Sequence, residues 1–122
     1  MTQTTEFTNN IENTKSQMRK GTLEFCILLT IANGKKMYAT GILSALKERD
    51  LIVVEGTLYP LLNRLKREGL LAYEWLESKN GPPRKYYLLT DPGHEMIKRL
   101  SETWKSFHAS LSSLLNTYEQ NH

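Results

Sequence analysis

Apolar residues change their period along the chain, and each change predicts a new element. Residues 1–11, opening MTQTTEFTNN, are rich in Thr, Asn and Gln without an apolar repeat and predict a loose N-terminal arm. From about Glu12 to Ala32 there is no proline, and Met18, Leu23, Cys26, Ile27 and Ile31 recur at helical spacing. This predicts a first helix, with Gly21 as a point of bending and Asn33-Gly34 as its stop. In MYATGILSALKERD, the residues Tyr38, Ile42, Ala45 and Leu46 share one face and predict a short second helix.

A third helix follows the LIVVEG connection. Leu58, Leu61, Leu62 and Leu65 form its inward stripe, and Gly69 supplies its C-terminal stop. Gly56, Tyr59, Pro60, Asn63 and Arg67 then turn outward. The glycine and the proline sit early, where a helix loses least from a missing backbone donor. Two short helices with a brief connection, followed at once by a hairpin, point to a helix-turn-helix unit.

Beyond Gly69 the period shortens to two. LLAYEWLES alternates Leu71, Tyr73 and Trp75 against Ala72 and Glu74, and RKYYLLT supplies a second aromatic strand. KNGPP between them reads as a turn or loop holding both prolines, which makes a β-hairpin with Lys79, Arg84 and Lys85 around its tip. Tyr86 and Tyr87 fall on opposite faces, so at least one belongs to the core. Thr90-Asp91-Pro92 then gives an N-cap, an acidic first turn and a tolerated proline. In the helix that follows, Ile97, Leu100, Trp104, Phe107, Leu111, Leu114 and Tyr118 advance by three and four residues in strict alternation. Such a seam must be buried, and the same helix of a second chain is the simplest cover.

The composition narrows the function. The 122 residues suit one small domain, and 39% hydrophobic with 24% charged residues is ordinary for a globular chain. The single Cys26 excludes an internal disulfide, no CxxC or Cys/His cluster is present to hold zinc, and nothing implies a cofactor. His94, His108 and His122 have no nucleophile or carboxylate in a triad pattern, and no glycine-rich phosphate loop exists, so an enzyme is not expected. The N-terminus does not read as a secretory signal, and the longest apolar run, FCILLTIA, is far below the ~20 residues of a membrane span. A cytoplasmic protein, free of membrane, is the simplest expectation. The formal charge of +3 permits an anionic partner. Its cations cluster at Lys15, Arg19 and Lys20, at Arg64, Lys66 and Arg67, and at Lys79, Arg84 and Lys85. A helix sized for the major groove with cations beside it matches duplex DNA.

EGTLYPLLNRLKREGLL followed by GPPRKYYLLTDPG, with KGTLEFCILLTIANGKKMYATGIL before them, closely resembles the PadR family of bacterial winged helix-turn-helix regulators. The resemblance runs from about Lys20 to Gly93. It implies a mainly α fold with a small β-hairpin, a winged helix-turn-helix over residues 12–90 and a C-terminal dimerisation helix over 91–122. It also implies a homodimer on a palindromic operator, most often a repressor. Carried over, Gly56, Thr57, Tyr59, Pro60, Asn63 and Arg64 would face the groove or its phosphates, Tyr38 would meet the backbone, and Lys79, Arg84 and Lys85 would serve the wing. Some relatives that sense drugs or phenolic compounds hold flat molecules against aromatics of the last helix. Trp104 and Phe107 are similar in position, so a small aromatic effector competes there with plain packing on a partner chain. A winged helix used for contact with an acidic protein is the alternative to DNA binding.

Overall fold

The computed structural model describes residues 2–122. In chain order it comprises α1 (Thr2–Gly34), α2 (Ala39–Glu48), α3 (Glu55–Arg67), β1 (Leu71–Ser78), β2 (Gly81–Leu89) and α4 (Asp91–Asn121). The mainly α architecture with one antiparallel hairpin agrees with the expectation, and β1 and β2 make the whole sheet among the described residues.

The first helix departs from it. The stretch predicted as a loose arm is helical from Thr2 onward, and α1 continues through Gly21 without a break. Residues 2–20 contain neither proline nor glycine, and adding a residue to a formed helix gains a hydrogen bond at small entropic cost, so polar composition alone does not stop it. The helix ends one residue later than its NG signal suggests. Lys35, with φ 66°, takes the left-handed position, while Gly34 stays helical and leaves space that the Met37 side chain fills.

Three helices and the base of the hairpin close one core. Ile27, Leu28 and Ile31 of α1, Ile42 and Leu46 of α2, and Leu58, Leu62 and Leu65 of α3 are buried together with Leu70, Leu71 and Tyr87. Leu61, at the edge of the α3 stripe, is half-buried. Gly69, at φ 80°, is the first residue beyond the α3 cap Glu68 and turns the chain into β1, as expected. Pro60 is deeper in α3 than a tolerated first-turn proline. It removes the donor for the carbonyl four residues back, which is that of Gly56, and its ring crowds that same position.

The hairpin turn is shorter than KNGPP suggests. Ser78 pairs with Gly81, so Lys79 and Asn80 form the turn, and Pro82 and Pro83 lie within β2. A two-stranded sheet leaves outer edges that need no ladder donor, and proline is tolerated there. Ser78 Oγ donates to the Pro82 carbonyl across the turn at 3.1 Å. Tyr87 is the core member of the tyrosine pair, and its backbone exchanges two hydrogen bonds with Met37, at 3.0 and 2.8 Å.

Burial, reinforced by Tyr73, raises the Tyr87 phenol above its ordinary 10.0. The native state then keeps this proton where the unfolded chain has lost it, so stability is intact below pH 10.0 and falls above it. Tyr87→Phe is expected to flatten that alkaline loss in thermal melts taken across the same range.

Thr90 caps α4 by accepting from Gly93 N at 3.1 Å, and donates to the Gly69 carbonyl at 2.6 Å. The seam of α4 divides. Ile97 and Leu100, expected in the dimer seam, are half-buried against the core of their own chain. Beyond them Trp104, Phe107, Leu111, Leu114 and Tyr118 are exposed, the most open being Leu114 at 71%.

Candidate nucleic-acid interface

The inward leucines of α3 leave Gly56, Pro60 and Asn63 on its exposed outer side. Nothing lies within 4 Å of where a Gly56 Cβ would stand. The wing stands on one side of this face. Between them opens a cleft of about 350 Å³ lined by Tyr38, Ala39 and Thr40 at the start of α2, Tyr59 of α3, and Arg84, Lys85 and Tyr87 of β2. Tyr38, Tyr59, Arg84 and Lys85, expected to work together although spread over three elements, thus share one concave surface.

Ring contacts hold the cleft in shape. Tyr38 and Tyr86 meet edge to face at 5.5 Å, and the Arg84 guanidinium lies 4.8 Å over the Tyr38 ring. Lys85 and Lys66 lie over the Tyr73 ring, at 4.1 and 4.3 Å from its centre. In each contact the charged head itself stands over the aromatic face, drawn by the ring quadrupole. Lys36 pairs with Glu74 on the same side of the hairpin as Tyr86. Residues 36–40 are therefore fastened to the wing by charge and by aromatic packing.

Other expected positions are placed differently. Lys79 is exposed at the hairpin turn, but Arg84 and Lys85 lie farther down β2, opposite Leu76 and Trp75. Lys85 belongs to the cleft, while Arg84 lines both the cleft and the groove at the turn beside Lys79. Thr57 is on the far flank of α3, where it lines a second cleft with α1. Arg64 is half-buried and forms an ion pair with Glu24 of α1, with Glu68 also at 3.8 Å. It does not stand with the outward residues, because its place on the helix lies beside Leu61 and Leu65, toward α1. A partner forty residues away left no trace in the local pattern. Thr40 and Tyr86 are additional members of the site, and only the packing of the α2 start against β2 reveals them.

Among the described residues no group of three or more His, Cys, Asp or Glu side chains is arranged to hold a metal ion. No helix of the described chain is long and apolar enough to cross a membrane.

Residues 27–99 match the model of the transcriptional regulator PadR-like family. The chain belongs to this family. Solved PadR structures share the fold over most of the chain. A PadR-like transcription factor from Bacteroides fragilis is 53% identical with a TM-score of 0.70, over 84% of this chain and 98% of that one. A PadR-family regulator from Eggerthella lenta has a TM-score of 0.82 at 28% identity, over 91% and 96% of the two chains. A PadR-like regulator from Bacillus cereus is 36% identical with a TM-score of 0.74, over 81% and 96%. No curated protein matches the sequence. Membership makes this chain a transcriptional regulator.

Proposed function

We propose that this PadR-family chain is a dimeric repressor that binds a palindromic operator in the cytoplasm. The observation that carries the reading is the cleft joining the outward face of α3 to Arg84 and Lys85 of the wing. A helix entering the major groove places its flanking cations against phosphate, and phosphate contacts set the register in which base edges are read. Gly56, Tyr59, Pro60 and Asn63 would meet the groove, while Tyr38, Arg84 and Lys85 would meet the backbone and Lys79 would extend the wing. Footprinting on the promoter region next to the protein's own gene tests this. Protection of two half-sites related by a dyad, weakening as salt rises, is expected; absence of protection there would count against the reading.

The dimer would form through the open part of the α4 seam. Trp104, Phe107, Leu111, Leu114 and Tyr118 expose a continuous apolar stripe, and Phe7, Ile11 and Met18 expose another on α1. Stripes of this length are rarely left to water. Leu114→Asp removes no contact within one chain, yet would place a charge in the joined seam. A shift to monomeric mass in sedimentation is expected, with helix content nearly unchanged.

Trp104 also carries the effector reading. Its ring stacks on His108 at 4.9 Å between centres and is 44% exposed. A flat aromatic effector would stack here beside Phe107, in competition with partner side chains, and release the operator.

A further inference from the structure

Duplex DNA gives a recognition helix two phosphate strands, one along each side of the major groove. The wing accounts for one side of α3. The other side faces α1, across a second cleft of about 230 Å³ whose walls include Arg19, Lys20 and Leu23 of α1, the apolar residues 51–54 before α3 and Thr57 within it. Thr57, in the first turn of α3, is the part of that helix which this cleft reaches.

The charges along this flank are ordered. Lys15 is paired with Glu12 at 3.6 Å. Among the described residues, Arg19 and Lys20 have neither an ion pair nor an aromatic ring beneath them. One turn further along α1 stands Glu24, which takes Arg64 of α3. The cation on α3 nearest this side is therefore neutralised within the protein, while the two uncommitted cations belong to α1 and stand beside the first turn of α3.

We infer that α1 supplies the second wall of the DNA interface, with Arg19 and Lys20 bound to the sugar–phosphate strand opposite the wing, and that Arg64 is a positioning residue held by Glu24. The inference rests on the DNA-binding reading above. Its occupant is a phosphodiester backbone and not an apolar segment, because the free charges on the cleft are both positive and because the cleft opens beside the face that would enter the groove.

The salt dependence of binding separates these roles. The full-length protein is titrated against a mixed-sequence duplex of about 30 base pairs between about 50 and 200 mM salt, so that no operator need be known. Each lost phosphate contact lowers the slope of log K against log salt by about 0.9, so Arg19→Gln with Lys20→Gln is expected to lower it by about 1.8 per bound protomer, and affinity by tenfold or more. Arg64→Gln is expected to leave the slope unchanged. Glu24→Gln, which leaves Arg64 only the longer pair with Glu68 at 3.8 Å and removes no cation, is expected to raise the slope, and adding Arg64→Gln to it should cancel the gain. An unchanged slope for the Arg19/Lys20 pair, or a drop for Arg64→Gln alone, overturns the assignment. If the pair weakens self-association in sedimentation while the slope stays the same, the cleft is an interface between copies and the assignment also falls. Failure of the unsubstituted protein to bind the duplex at all would strike the DNA reading itself, a result distinct from the others.

Discussion

Gly93→Ala is expected to lower stability by about 3 kcal/mol or more, enough to move the thermal midpoint down by about 10 °C or more. Gly93 is the buried residue of α4, in the first turn after the Thr90 cap. A Cβ there would collide with the backbone carbonyl of Leu70 and meet Leu89 Cδ2 at 2.5 Å. The carbonyl cannot swing aside cheaply. Leu70 is buried in the core, and its oxygen accepts from Thr90 N at 3.1 Å in the same junction that caps the helix. One methyl group would thus push α4 off the end of the hairpin and disturb the cap, a large fraction of the few kcal/mol by which small domains are stable. Thermal unfolding followed by circular dichroism measures it. A midpoint within a few degrees of the unsubstituted protein would mean that the junction yields without cost.

The largest functional effect is expected at Gly56. Gly56→Trp should weaken DNA binding by about a hundredfold, comparable to losing a good contact set in the groove, while the thermal midpoint holds or rises. The position is helical and exposed, and its φ is not in the left-handed region, so a side chain there meets only water in the free protein. Replacing glycine within a helix even gains up to about 1 kcal/mol of propensity. Against DNA the same side chain would occupy the space through which the α3 backbone approaches the groove. A binding titration and a melt on one preparation separate the two. Equal loss in both would show that the glycine serves the Pro60-disturbed helix and not the contact.

The two glycines also mark what a sequence discloses. Gly93 follows Asp-Pro in an ordinary helix start, and no pattern distinguishes it from a glycine without neighbours. Only the approach of Leu70, twenty-three residues earlier, gives it a cost. Gly56 was legible as an outward residue because the leucine stripe fixes the rotation of α3. The depth of Pro60 was not, since it depends on where the helix starts, and Val54 has no side-chain hydrogen bond to mark that start.

Periodicity sufficed wherever one face of an element is buried and its neighbours in sequence supply the signal: the stripe of α3, the Gly69 stop, the Thr90 cap, the alternation of the hairpin and the PadR motifs that lie across them. It failed where the deciding partner is distant. Arg64 reads as one of three cations on a recognition helix, yet its charge is taken by Glu24. Arg84 and Lys85 read as wing-tip residues, yet the two-residue turn sets them several positions down β2 and over the rings of Tyr38 and Tyr73. The α4 seam reads as uniform, but its first two members are claimed by the core of the same chain. Helical and strand periods report which side of an element is apolar, a property of neighbours within a turn or two. Which charge meets which countercharge, and how much of an apolar stripe one chain can cover, depends on how elements far apart in sequence dock, and that was decided by the tertiary structure alone.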